Sequence, residues 1–246
     1  MKPVFYDLHI HSCLSPCGDN DMTPNNLVQM ALLSGCDVIA LTDHNTCRNA
    51  PAAMEAGARN GLLVIPGMEL CTAEEAHVIC LFATLEQAMD FSQFIQAHIP
   101  PVQNRPEIFG EQRVMDAEDG ILGLEPTLLT TASEIRVDRV AKLVRDYGGV
   151  CFPAHLDRPS YSVISSLGTF EAAWGFRAAE LTCAAEVADY MARYPALQGL
   201  PLLCDSDAHY LENIPEAAAW LDLEECTIPA LFAVLNGERG CTWGRG

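Results

Sequence analysis

The stretch Val4–Ser12, "VFYDLHIHS", places two of the chain's seven histidines at alternate positions on the end of an apolar run. A β-strand turns successive side chains to opposite faces, so the spacing predicts that Asp7, His9 and His11 share one face and Leu8 and Ile10 the other. Two imidazoles on one face at a strand end either satisfy each other structurally or address a common ligand. The placement of polar residues in the remaining chain separates these readings.

Further apolar runs, "CDVIALTDHN", "LLVIPGMEL", "GGVCFPAHL", "RAAELTC" and "LPLLCDSDAHY", alternate with segments of helical pattern. In "TPNNLVQMALLSG", Thr23 is placed as an N-cap, Pro24 at the first helical position and Gly35 as a stop, with Leu27, Met30, Ala31 and Leu33 as the expected apolar face. A second helix is expected from about Ala50 to Asn60. The alternation predicts parallel strands wrapped by helices.

Nearly every apolar run ends, on its C-terminal side, in a histidine or a carboxylate: His9 and His11, Asp43 and His44, Glu69, His155, then Asp207 and His209. In a β/α barrel such ends gather around the mouth that carries the active site. His77 begins its run, "HVICLF", but only seven residues separate it from Glu69. That is too short for a helical crossover, so a hairpin return is expected to bring His77 beside Glu69. Six of the seven histidines then converge. Packed without a common ligand they would repel one another whenever protonated. Neutral imidazoles and carboxylates are instead suitable ligands for zinc, manganese or iron.

Composition bounds the remaining possibilities. The chain has 246 residues, half of them apolar, and no run approaches the length of a membrane span. No linker, repeat or low-complexity tract divides it, so one domain over residues 1–246 is expected. The first strand starts within three residues of Met1, leaving no room for a signal peptide, and a cytoplasmic protein is expected. The 11 cysteines are scattered, without a C-x-x-C pair, and read as reduced thiols. Fourteen Lys and Arg against 33 Asp and Glu give a formal net charge of −19. Such a surface is expected to repel long nucleic acid, whose affinity comes from neutralising phosphates, and to be neutralised in part by bound cations.

"DLHIHS", "TDHN", "GMEL" followed by "EEAHVICLF", "PAHLD" and "SDAH" stand in the order found in the PHP (polymerase and histidinol phosphatase) family of metal-dependent phosphoesterases, which this chain resembles from Asp7 to His209. The resemblance implies a distorted (β/α)7 TIM-like barrel with two to three divalent transition metals at its C-terminal mouth. By that pattern His9, His11, Glu69 and Asp207 hold one ion, and Glu69 bridges to a second completed by His77 and His155. His44 and His209 hold a third. Its remaining ligand in the family is often an Asp in an S-D-G sequence, but here the loop reads "CLSPCGDND", leaving Cys17 and Asp19 as candidates and Asp21 as a weaker one.

A carboxylate bridging two ions about 3.5–4 Å apart is the arrangement of two-metal phosphatases, in which a shared water ionises near neutral pH and attacks phosphorus. Glu69, Asp207 and His209 are the expected catalytic residues, with His209, or a water it positions, protonating the leaving oxygen. Asp7 and Asp43 are expected to orient ligating histidines. The expected substrate is a small phosphomonoester. The alternatives are 5′–3′ hydrolysis of short oligonucleotides and a non-catalytic metal-binding module.

The excursion between His77 and His155, which contains "HIPPVQNRPEIFGEQRV" (98–114), is too irregular for a barrel helix, and its insertion at about 99–131 forms either a lid at the mouth or a plain surface insertion. Arg158, three residues beyond His155, is the candidate for gripping a substrate phosphate. His98 stands outside every motif. Cys36, Cys80, Cys151 and Cys204 sit in apolar runs and read as core. Cys13, Cys17, Cys47 and Cys71 fall near expected ligands and are either packing residues or part of an oxidation-sensitive centre.

Overall fold

Thr23 caps α1 (Pro24–Leu33) by accepting the Asn26 N–H, and Pro24 starts the helix where its missing N–H costs nothing. The computed structural model describes residues 2–182, 185, 187–238 and 243–244; Cys183, in the run "RAAELTC", lies outside them. The buried face of α1 is Pro24, Leu27, Val28 and Ala31, an i, i+3, i+4, i+7 stripe. Leu33 falls off that stripe and is exposed, contrary to expectation. Before this helix runs β1 (Lys2–Ile10); after it come β2 (Val38–Leu41), α2 (Ala50–Asn60), β3 (Leu63–Cys71), β4 (His77–Phe82) and α3 (Leu85–Gln96). The second half comprises α4 (Pro106–Phe109), β5 (Arg113–Met115), β6 (Ile121–Leu124), α5 (Val137–Asp146), β7 (Gly149–Pro153), α6 (Val163–Leu167), β8 (Ala179–Glu180), α7 (Val187–Arg193), β9 (Leu202–Leu203), β10 (Trp220–Leu223), α8 (Ile228–Leu235) and β11 (Trp243–Gly244).

Seven strands form one sheet in the order β11-β10-β1-β2-β3-β4-β7. Only β1, β2 and β3 are neighbours in parallel; β3–β4, β4–β7, β1–β10 and β10–β11 are antiparallel. The expected parallel pattern is therefore corrected for β4–β7, β1–β10 and β10–β11, while the β3–β4 hairpin is as expected. A turn of a few residues after β3 permits only a hairpin, and β10 comes from a C-terminal segment whose period gave no strong signal. β8 and β9 pair with each other in parallel, outside the large sheet. Among the described residues the hydrogen-bond ladder is thus a curled half-barrel and does not close into a ring of seven parallel strands.

Curling brings β1, β3, β4 and β7 into a common core. Val4, Tyr6 and Leu8 meet Ile65, Ile79, Leu81, Val150 and Phe152, closed over by Leu231 and Leu235 of α8. The opposite faces of β3 and β4 present Met68, Leu70, Val78, Cys80 and Phe82 to α3 and α5. Burying Phe82 and Phe91 completely contributes roughly 1.5–3 kcal/mol for each side chain. A third cluster packs α1 and α2 on Ile39 and Leu41, and Ile10 belongs to it rather than to the cluster of Leu8. The register shifts between Asp7 and Ile10, so strict alternation along β1 breaks just before the two histidines finish their turn toward the mouth.

No helix among the described residues is long and apolar enough to cross a membrane. Eight described cysteines carry free thiols, whereas Cys204 is disulfide-bonded, a departure from the expectation of reduced thiols throughout. Cys36, Cys80 and Cys204 are buried as expected, and Cys151 is half-buried.

Candidate metal centre

The loop after β1 is fixed by Asp43, which accepts the Ser12 N–H and Oγ–H and the Ser15 Oγ–H, each at 2.7 Å. Ser15 Oγ lies 2.9 Å from His11 Nδ1 and also accepts the His44 N–H. Asp43 therefore sets the His11 ring through Ser15 rather than by touching it. Gly18 closes this loop because a Cβ there would meet the Ser12 carbonyl oxygen at 2.4 Å. Asp7 accepts the Ser206 N–H and fixes backbone beside Asp207. The ring of His9 is instead held by Glu180, with Oε2 2.9 Å from Nδ1.

Glu69 stands at the middle of the cluster. Oε1 is 2.7 Å from His77 Nδ1, 3.2 Å from His9 Nε2 and 3.3 Å from His155 Nε2. Oε2 is 2.8 Å from His44 Nδ1 and 3.4 Å from His11 Nε2. Asp207 Oδ1 approaches His9 Nε2 and His11 Nε2, both at 3.1 Å. The hairpin expected after β3 does return His77 to Glu69, through the pairing Cys71↔His77. His209 closes the outer side, its ring stacked 4.2 Å from that of His11.

Several of these buried atoms face each other without making a hydrogen bond: His44 Nδ1, Glu69 Oε2 and Asp207 Oδ1 have no partner. A buried polar atom left unpaired costs free energy, so a common cation is what this donor set fits. Three overlapping groups have donor atoms within 4.8 Å of one another: His9, His11 and Glu69; His44, Glu69 and His77; His11, His44 and His209. Backbone strain collects in the same place. Asn45, His155, Tyr161 and Asp207 all have φ between 27° and 56°, a conformation costing about 1–3 kcal/mol each that persists where surroundings enforce it.

The charges interlock. Burial alone would raise Glu69, yet His77, His9 and His44 hold it well below the usual carboxylate range. Asp207 is depressed likewise, by His9 and His11 against burial. His9 is raised well above the ordinary imidazole value, because Asp207, Glu180 and Glu69 outweigh its burial. His11 is lowered by burial, reinforced by His209 and His44. Burial pushes the Cys13 and Cys71 thiols up to about 12. Cys17 goes the other way, to about 6, where the His44 and His209 rings overcome burial.

A cavity of about 380 Å³ opens over the cluster, lined by Cys17, His44, Glu69, His77, His155, Asp207 and His209, with Phe109, Thr130, Arg158 and Tyr161 on its rim side. Phe109 arrives from the 99–131 segment, which is tied to the sheet end. Arg113 N–H donates to the Cys13 carbonyl, Asn49 Oδ1 accepts the Met115 N–H, and the Asn45 amide donates to Leu129 and Thr131 carbonyls. Gly110, at φ 92°, lets the chain pass against the Pro16 carbonyl oxygen. Arg158 is ion-paired to Asp207 and reaches the cavity. Tyr161 stacks on His77 with ring centroids 4.8 Å apart.

Thus His9, His11, His44, Glu69, His77, His155, Asp207 and His209 are brought together, with Cys17 and Arg158 beside them. Asp19 is not among the lining residues: its Oδ1 accepts the Asp21 N–H in its own turn. His98 sits apart, paired with the Phe94 carbonyl. Sequence reasoning missed Glu180, Ser15, Tyr161 and Phe109. Glu180 did carry the signal used elsewhere, a carboxylate late in an apolar run, whereas the others reach the site through folding alone.

The PHP domain profile matches residues 7–155, more than half of the chain. The chain belongs to the PHP domain family. It is 42% identical over 78 residues to the 5′-3′ exoribonuclease Rnm of Salmonella typhimurium, an alignment covering 31% of this chain and 26% of that protein. The chain therefore aligns with only about a quarter of this curated relative's length. In structure it resembles the lesion-specific endonuclease PfuEndoQ of Pyrococcus furiosus, with a TM-score of 0.73 at 18% identity over 98% of this chain and 58% of that one. It matches equally well an Endonuclease Q in complex with a 27-mer duplex carrying an abasic lesion at the active site (TM-score 0.73, 19% identity, the same 98% and 58% coverage). Of these relatives, one is an exoribonuclease and the others are endonucleases. The expected exclusion of long nucleic acid conflicts with these relatives, one named an exoribonuclease and one seen with a duplex. A net charge of −19 averages over the whole surface, whereas binding depends on the local field at the mouth.

Proposed function

We propose that the chain hydrolyses phosphodiester bonds at the 5′ end of short oligonucleotides, one nucleotide entering the cavity at a time. The observation that carries this reading is the pair of aromatic rings, Phe109 and Tyr161, beside the carboxylate–histidine cluster in a 380 Å³ cavity. Aromatic faces accept bases without regard to sequence. The name of the Rnm relative points the same way. The chain is read as one unit in which residues 99–131 act as a lid.

His9, His11, Glu69 and Asp207 would hold one ion, Glu69, His77 and His155 a second, and His44 and His209 take part in a third. Bound there, such ions supply Lewis acidity to phosphoryl oxygens and lower the pKa of water. Glu69 would serve both of the first two positions, since its Oε1 faces His9 as well as His77 and His155. Arg158 is placed to exchange its Asp207 partner for a substrate phosphate. His209, on the outer side of the cluster, orients the group that returns a proton to the leaving oxygen.

Hydrolysis of a small phosphomonoester is the second reading, favoured by the cavity's size. The discriminating experiment follows the metal-loaded protein on 5′-labelled oligonucleotides and on mononucleotides in parallel. Release of the 5′ label as a mononucleotide, with the remaining chain shortening one nucleotide at a time by mass spectrometry, supports the proposal. Inorganic phosphate from mononucleotides, with oligonucleotides left whole, replaces it by the second reading.

A further inference from the structure

We propose that Cys17 is a metal ligand, supplying a thiolate to the outermost ion alongside His44 and His209, so that this position is a soft site. The inference rests on the metal-centre reading above and adds a donor of a different chemical kind.

Three observations carry it. First, Cys17 Sγ lies 3.2 Å from His44 Nε2 and lines the cavity together with His44 and His209, so one sulfur and two imidazoles border the same opening. Second, His11, His44 and His209 form a metal-capable group without any help from the cysteine. His44 is buried, with Nδ1 lacking a hydrogen-bond partner, and it turns one ring nitrogen to Glu69 and the other to Cys17. It therefore stands between the inner carboxylate and the outer donors.

Third, the rival donor is committed elsewhere. Asp19 accepts the Asp21 N–H through Oδ1 at 2.8 Å, its own N–H donates to the His209 carbonyl, and it does not line the cavity. The turn from Ser12 to Gly18 is what aims the sulfur. Ser15 is held by Asp43, and a side chain at Gly18 would strike the Ser12 carbonyl oxygen. Ligation sends the thiol proton to solvent and leaves sulfur as a soft donor, favouring zinc over manganese at this position.

The test is reconstitution of the metal-free full chain with Co²⁺, read by metal content and absorption. The expected spectrum has a near-ultraviolet thiolate-to-cobalt charge-transfer band that Cys17→Ser abolishes while visible cobalt bands from the remaining sites persist. Cys17→Asp should restore metal content without that band. In parallel, Zn²⁺ should slow iodoacetamide labelling of Cys17, mapped by mass spectrometry, at least about tenfold, since a coordinated thiolate is a poor free nucleophile. Visible cobalt bands without a charge-transfer band in the unaltered protein, a band that survives Cys17→Ser, or labelling indifferent to Zn²⁺ would each overturn the ligand role while leaving the metal centre intact. Binding of less than about one equivalent of cobalt would instead remove the metal-centre reading itself, and this inference with it.

Discussion

Glu180 Oε2 lies 2.9 Å from His9 Nδ1 with both side chains fully buried, so the ring is pinned with Nε2 turned toward Glu69 and Asp207. The other Glu180 oxygen accepts the His155 N–H at 3.1 Å, so one carboxylate positions two members of the cluster. Outer partners of this kind typically govern metal affinity by about 10–100-fold. Glu180→Ala should weaken zinc binding by that order in a competition titration, with the far-ultraviolet circular dichroism retained. Glu180→Gln, whose amide oxygen can still accept from Nδ1, should lose less. Equal affinities in all three proteins would deny Glu180 a positioning role.

How much of this was legible beforehand depends on distance along the chain. The cluster could be read because strand ends are local signals: each apolar run announced its own terminal His, Asp or Glu. The hairpin return of His77 followed from loop length alone. Glu180 escaped although it comes late in an apolar run, because Leu181 and Thr182 follow it and it does not close that run. Phe109 reaches the cavity through non-local ties, such as Arg113 to Cys13, that no period records. The antiparallel partner on the other side of β1 was hidden for a related reason. β10 pairs with β1 from more than two hundred residues away, a choice made by the shared core of Val4 and Leu221 and not by local pattern.

Glu69→Gln tests the bridge. The substitution keeps shape but removes the charge that His77, His9 and His44 share. Turnover should fall at least about 10²-fold, by analogy with other charge-stabilising groups, and bound metal should drop. Near-normal turnover with full metal content would mean that Glu69 does not bridge.

Metal uptake should be steeply pH-dependent, with a definite sign. In the metal-free protein His9, His44 and His209 hold protons above the ordinary imidazole range, chiefly through Asp207 for His9 and through Cys17 for the other two, against burial. A cation must displace those protons, so affinity rises as pH rises through the raised imidazole values and falls on acidification. Calorimetry in buffers of differing ionisation enthalpy should show net proton release on binding. A release of zero across the neutral range would mean that the imidazoles are already neutral.

The last prediction separates gripping of phosphate from stacking of bases. Arg158 is half-exposed and paired with Asp207, so its removal leaves a carboxylate that the surrounding imidazoles still neutralise and should not unfold the protein. If the guanidinium grips phosphate, Arg158→Ala should raise KM, and the penalty should shrink as salt screens the charge. Phe109→Ala and Tyr161→Ala should raise KM for oligonucleotides too, by about 1–3 kcal/mol per stacked base, but with little dependence on salt. Tyr161 has a second neighbour, His77, so Phe109 is the cleaner probe. Measuring KM at two salt concentrations for oligonucleotides and for an abasic sugar-phosphate of matched length distinguishes the roles. A Phe109→Ala penalty that persists on the abasic ligand would exclude base stacking and assign the ring to shaping the lid.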